Sequence, residues 1–265
     1  MTIRKLSLRA LALCIAAALL GSGAALADEV KVMISGGFAA AWRELGPQFE
    51  AATGRKLITV WGPAVGTAAN AIPMRLARGE WADVLIVVEY ALDEQIDAGK
   101  ILPDSKTDLA RSAIGLVVRE GRPKPDIGSA DALRQVLLAA KSIVYPDSPS
   151  GVYVGRELFV RLGIAGPMES RSRMIPVARV ADAVANGEAE IGLQQVVELL
   201  PVKGVTLVGS IPAELQRYTV FSVGIATNAK NPAGAVALIQ FLSSPDAAPA
   251  ISRTGLEPLS AAPAK

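Results

Sequence analysis

Two short turns carry the residues best suited to hold an anion. Ser35-Gly36-Gly37 follows a run that reads as a strand, and Ser148-Pro149-Ser150-Gly151 follows another. A strand-to-helix turn at the carboxyl end of a parallel strand presents backbone N–H groups and small hydroxyls, backed by the positive end of the next helix. Glycine there lets backbone approach a ligand closely. The plainer role for each serine is a helix cap; the presence of two such turns, one in each half of the chain, favours an anion site. Arginine is the natural bidentate partner of a carboxylate. Arg75 and Arg78 lie three positions apart on one expected helix, with Arg75 the better placed and a solvated surface the competing role for both. Tyr153 and Arg156 fall in the first turns of the helix after Ser150. Tyr153 offers either a hydroxyl to the ligand or packing between halves of the molecule, and Arg156 a solvated charge.

The missing residue types exclude whole classes of chemistry. The chain has no histidine, and its one cysteine is Cys14. Beyond that position there is no thiol nucleophile, no Ser-His-Asp triad, no disulfide and no zinc or copper site built on nitrogen and sulfur. No metal and no cofactor is expected. Proton transfer would fall to carboxylates such as Glu198, Asp147 or Glu89, and the sequence places none of them beside a reacting carbon, so no catalytic residue is assigned.

Residues 1–27 read as an export signal. Arg4, Lys5 and Arg9 open it, Leu11 to Leu20 is apolar, and Ala25-Leu26-Ala27 supplies the small residues a signal peptidase reads. Cleavage is expected between Ala27 and Asp28. The apolar run is shorter than a bilayer span, so no membrane insertion of the mature chain follows, and bulky Leu13 before Cys14 speaks against lipidation. This segment holds three of the 27 basic residues and none of the 25 acidic ones. The remainder is therefore near neutral, without a basic block, and nucleic acid is not an expected partner. A disulfide-free chain of this length is stabilised by its core alone.

The elements that must position these residues alternate between aliphatic runs and amphipathic stretches, the pattern of βαβ units in an α/β protein. Strands are expected at Val30–Ser35, Lys56–Trp61, Ala82–Val88, Ile114–Arg119, Ser142–Tyr145, Ile191–Gln195, Val205–Val208 and Tyr218–Ala226. Helices are expected from Trp42 to a stop at Gly54, and at Ile72–Arg78, Leu92–Ala98, Ala130–Ala140, Gly151–Leu162, Val180–Asn186 and Pro232–Leu242. Arg122-Pro-Lys-Pro125 interrupts the rhythm and suggests a boundary between lobes, and the Ala/Pro tail after Leu259 is expected to fray.

The order of four segments resembles the periplasmic molybdate-binding protein family of ABC transporters. They are Met33-Ile-Ser-Gly-Gly37, Arg78-Gly-Glu-Trp-Ala-Asp83, Tyr145-Pro-Asp-Ser-Pro-Ser-Gly151 and Asn186-Gly-Glu-Ala-Glu-Ile-Gly192. The resemblance covers the chain beyond the signal. It implies a type II periplasmic-binding-protein fold, in which two lobes with mostly parallel sheets are joined by two hinge strands and the ligand lies between them. Lobe one would be 28–113 plus 222–265 and lobe two 114–221. The implied partners are a small anionic ligand and an ABC permease, and a cleft that opens and shuts suits a monomer.

The departures from that family's pattern point to its ligand. In Gly62-Pro-Ala-Val-Gly-Thr67, Ala64 and Val65 stand where a hydroxyl would be expected, leaving Thr67 to donate. Where molybdate binders place a tyrosine this chain has Gln194 and Gln195, whose amides suit carboxylate or hydroxyl groups; facing alternates along a strand, so one of the two reaches the cleft. Ser-Gly-Gly-Phe38, Ala71-Ile-Pro-Met-Arg-Leu-Ala-Arg-Gly79 and Gly192-Leu-Gln-Gln195 also resemble the periplasmic aconitate isomerases of the same superfamily. That resemblance implies a second reading, the cofactor-free movement of a double bond in a tricarboxylate, with Arg75 as a clamp.

Overall fold

A computed structural model describes residues 28–259. Residues 1–27, read from sequence as an export signal, and the tail after Leu259 lie outside the described residues. Within them the chain builds two mixed sheets. The first runs in the order β11-β4-β10-β3-β1-β2 and comprises β1 (Glu29–Ile34), β2 (Lys56–Trp61), β3 (Val84–Val88), β4 (Thr107–Ser112), β10 (Thr219–Ile225) and β11 (Glu257–Pro258). The second runs β7-β6-β8-β5-β9, from β5 (Ile114–Arg119), β6 (Ile143–Pro146), β7 (Ser172–Ile175), β8 (Ile191–Gln195) and β9 (Val205–Ser210).

The expected parallel pairing holds for β1 with β2 and β3, and for β6 with β7 and β8. Antiparallel strands complete each sheet: β10 joins β3 to β4, and β5 joins β8 to β9. Three strands carry no aliphatic run and were not expected. They are β4, which is half polar, β7, a partly exposed edge, and the two-residue β11.

Period-two alternation gives every central strand two buried faces. Val30, Val32 and Ile34 of β1 pack with Trp42, Leu45 and Phe49 of the helix Ala39–Thr53, whereas Met33 packs on the other face with Ile72, Leu76 and Leu92. In the second sheet Ile114, Leu116 and Val118 face one core and Val117 faces the other, formed by Val180 and Val184. Helices therefore cover both faces of both sheets, the three-layer arrangement that βαβ crossovers impose. Gly54, at φ 72°, ends the first long helix in the left-handed conformation that glycine tolerates.

Asp83 ties the first sheet together. Fully buried, its carboxylate accepts from the N–H groups of Lys31, Lys230 and Asn231, at 2.7 to 2.8 Å, and so joins β1, the entry to β3 and the start of the helix Pro232–Leu242.

The chain passes between the sheets twice. Ala113 alone separates β4 from β5, and residues 211–218 lead from β9 back to β10. The Pro-rich stretch Arg122–Pro125, read from sequence as a boundary, instead joins β5 to the helix Ala130–Ala139 on the way to β6, so both of its ends belong to the second sheet. Among the described residues no helix is long and apolar enough to cross a membrane.

Candidate functional site

The carboxyl ends of β6, β7 and β8 converge because these strands run parallel. The segments that follow them interlock. Asp147 N–H donates to the Ile175 carbonyl at 2.9 Å, and its Oδ1 accepts from Val177 N–H at 3.0 Å. Gln194 Nε2 donates to the Val177 carbonyl at 3.2 Å and to Glu198 Oε2 at 2.7 Å.

Beyond Asp147 the chain turns at Ser148 into a helical run that starts at Pro149 and widens into a π turn over Val154–Leu158. Only glycine fits at 151, since a Cβ there would lie 1.7 Å from the Pro146 carbonyl oxygen. Ser148 holds the N-cap position in extended conformation, yet its side chain caps nothing; its hydroxyl lies 3.0 Å from that of Ser150. The plainer role for this serine is thus not the one it plays.

These hydroxyls face a cleft of about 620 Å³. The second sheet contributes Asp147, Ser148, Ser150, Tyr153 and Glu157. The first contributes Glu89 and Tyr90, which follow β3, and Thr219 at the start of β10, and the returning crossing contributes Arg217 and Tyr218. The cleft therefore lies between the two sheets, at the carboxyl edge of their parallel strands, where open α/β sheets hold ligands.

Its acids are individually engaged. Glu89 meets Lys106 at 3.4 Å, Glu157 meets Arg217 at 2.6 Å, and Asp147 holds the Val177 amide. Burial alone would lower the pKa of Lys106, but a hydrogen bond to Asp93 and the charges of Asp93 and Glu89 outweigh it and raise it, keeping the ammonium charged. Partial burial and the charge of Glu94 push the Tyr90 phenol above its ordinary range. Burial likewise pushes Glu198 up, opposed by the Gln194 amide. Among the described residues no group of three or more His, Cys, Asp or Glu side chains converges as a metal ion would require.

The residues singled out from sequence separate into groups. Ser148, Ser150 and Tyr153 line the cleft, and Gly151 permits the turn that presents them. The hydroxyl of Tyr153 is already engaged, donating to the Leu215 carbonyl and accepting from Arg161, so its ring rather than its hydroxyl forms the wall. Ser35, Gly36 and Gly37 occupy the same carboxyl edge of the first sheet but not the wall of this cleft. That turn folds against β10: Phe38 meets the Phe221 ring at 6.4 Å, and a Cβ on Gly37 would strike that ring at 2.3 Å. The Ser35 side chain does not cap the turn either, and the space above Gly36 is open.

Thr67 sits exposed on a loop outside the cleft. Arg75 is turned away, bound to Glu80 at 3.0 Å and to the Asn70 carbonyl, and Arg78 reaches the Ala69 carbonyl. Burial would raise the Glu80 pKa, but hydrogen bonds from Lys31 and Arg75 hold it below the ordinary range. Gln194 is 2% exposed and spent on Val177 and Glu198, while Gln195, at the end of β8, pairs in register with Ile114. Sequence reasoning passed over Tyr90, Glu157, Arg217 and Tyr218. The only signal for the last two is their place at the start of a long expected strand, Arg217 just before it and Tyr218 its first residue.

Comparison with known proteins agrees with this architecture. A family model described as bacterial extracellular solute-binding protein matches residues 30–257. An aconitate isomerase from Pseudomonas sp is 43% identical over 255 residues, covering 95% of this chain and 97% of that protein. The molybdate-binding protein ModA of Azotobacter vinelandii is 26% identical over 257 residues, covering 94% and 97%. Among solved structures, a substrate-binding domain from Clostridium difficile assigned to a molybdenum ABC transporter superposes with a TM-score of 0.76 at 15% identity, covering 86% of this chain and 98% of that one. Two sheets joined by two crossings are the type II periplasmic-binding-protein fold, and the chain belongs to the bacterial extracellular solute-binding protein family.

Proposed function

We propose that this protein is exported to the periplasm and captures a small carboxylate anion between two lobes, the first carrying β1–β4, β10 and β11 and the second β5–β9. The observation that carries the reading is the pair of hydroxyls on Ser148 and Ser150. They sit uncapped at the start of a helix, on the wall of the cleft between the sheets. Hydroxyls and free amide hydrogens at a helix start stabilise negative charge without a buried cation. The engaged acids of the cleft leave that donor set as its anion-facing surface. A carboxylate is favoured over a bare tetrahedral oxyanion because the relative sharing 43% identity acts, by its name, on aconitate, and the molybdate binder shares only 26%. In this reading the lobes close on the ligand because contacts are made in the shut form, the protein works as a monomer, and its partner is an ABC permease.

A second reading adds chemistry to the same cleft and rests on that 43% relative. A base takes a proton from the methylene carbon of trans-aconitate, the electron pair spreads over the allylic system, and a proton returns at the other end, leaving the double bond moved. No redox partner or cofactor is required. Asp147 and Glu89 line the cleft, while Glu198 stands behind Gln194.

One experiment separates these readings. The purified protein is incubated with trans-aconitate and followed by NMR, with melting measured in parallel. Saturation at 100 times Kd adds about 2.7 kcal/mol, a Tm rise on the order of 5–10 °C. A shift with unchanged substrate is the result expected for the receptor. Appearance of cis-aconitate replaces that reading with the isomerase, and stabilisation by molybdate or sulfate alone overturns the carboxylate assignment.

A further inference from the structure

Arg217 is the one cation lining the cleft among the described residues. It stands on the crossing that returns to the first sheet, next to Gln216, whose side chain is fastened to Ile114. Its backbone is thereby pinned beside the cleft, while its side chain remains 59% exposed. The guanidinium lies 5.6 Å from the Tyr153 ring and 2.6 Å from Glu157, itself 51% exposed. Ser150, Tyr153 and Glu157 are spaced three and four apart on one helical face, all on the cleft wall. Hydroxyl, aromatic ring and the cation's present partner thus form a single strip.

An ion pair this exposed is screened by water and worth about a factor of five at most. A guanidinium is also a planar fork that matches a carboxylate in two parallel hydrogen bonds. Resting on the reading that the cleft binds a carboxylate, we propose that Arg217 is its charged partner beside the Ser148 and Ser150 hydroxyls, and that Glu157 occupies the guanidinium until the ligand's carboxylate displaces it. Glu157 is then an internal competitor, a side-chain carboxylate standing in for the ligand's own. The other acids of the cleft do not compete, since Glu89 is met by Lys106 and Asp147 by a backbone amide.

The test is a calorimetric titration of trans-aconitate into the wild type, Arg217→Gln, Arg217→Lys, Glu157→Gln and the double variant Glu157→Gln/Arg217→Gln, with circular dichroism to establish that each is folded. Arg217→Gln is expected to weaken binding about 30-fold or more, and Arg217→Lys by less. Glu157→Gln is expected to tighten it about two- to fivefold, and that gain is expected to vanish in the double variant. The proposal is overturned if Glu157→Gln leaves affinity unchanged or weakens it, if Arg217→Gln binds as the wild type does, or if the tightening persists without Arg217. Molybdate titrated in parallel gives a further check, because an equal response of both ligands makes Arg217 a general attractor of anions and not the carboxylate's partner. A wild type that binds no carboxylate fails at the earlier reading, before any variant is compared.

Discussion

The carboxyl of Glu198 is held between two opposing influences: burial, which penalises its charge, and the Gln194 amide, which favours it. Burial prevails and the folded-state pKa is raised. Below the pKa of an unfolded glutamate both states are protonated and the cost is absent; as pH rises through the folded pKa the native state comes to carry a buried charge, and the cost becomes complete. Glu198→Gln keeps an oxygen to accept from Gln194 and removes the charge. It is expected to raise Tm at pH 7–8 by a few degrees, on the order of 2–4 °C, with the gain shrinking to nothing near about pH 3.5. A thermal melt series across that range checks it; a gain independent of pH would mean that charge is not what burial penalises there. In the isomerase reading turnover gives a second readout, and because Glu198 stands behind Gln194 and not on the cleft wall, a loss would mark it as a positioning residue. At this scale the sequence singled out Ser148 and Ser150 as a small polar turn between an aliphatic run and an amphipathic one, and both line the cleft. It misplaced Arg75, whose spacing says which helix face it occupies but not that Glu80 awaits it five residues on. Arg217 was invisible, since it belongs to no periodic element and matters only through where the crossing sets it down.

Strands were legible where aliphatic and β-branched residues run together, inside the sheets and also at the partly buried edges β2 and β9. β1, β3, β5 and β8 lie inside their sheets, need apolar residues on both faces, and so read as aliphatic runs. β4 carries Asp108 and Arg111, and β7 exposes Arg173 and Met174, so neither shows a period. The segment Arg78–Asp83, one of the four that carry the resemblance, has a physical reason in Asp83. Asp83→Ala would take the shared acceptor from the N–H groups of Lys31, Lys230 and Asn231, and the helix Pro232–Leu242 would lose its tie to β1. The expected loss is about 3–5 kcal/mol, read as a lowered urea midpoint. Asp83→Asn keeps one carbonyl oxygen and is expected to lose less. If the two variants prove equally stable, the hydrogen bonds are not what Asp83 contributes.

The whole molecule depends on two crossings being held at a fixed spacing between the two sheets. Gln216 supplies the clasp. Its Oε1 accepts from Ile114 N–H at 2.9 Å, and its Nε2 donates to the carbonyls of Ile114 at 2.7 Å and Ile211 at 3.2 Å. One side chain therefore fastens the first crossing, at the residue where the chain enters β5, to the second. Ser112, at the end of β4 and paired in register with Thr219, is fully buried with a hydroxyl that finds no partner among the described residues. In Gln216→Ala the Ile114 carbonyl keeps the Ile211 N–H at 3.0 Å, but the Ile114 N–H is left bare, at a cost of about 1–3 kcal/mol. The urea midpoint is expected to fall accordingly and hydrogen exchange at the Ile114 amide to accelerate, whereas amides in the centre of β1 change only through the global loss. Gln216→Glu keeps the acceptor and loses the donor, so it should protect Ile114 N–H while still loosening the second crossing at Ile211. An Ile114 amide that exchanges at the wild-type rate in Gln216→Ala would show that the crossings are held by the sheets themselves and that the side chain between them is incidental.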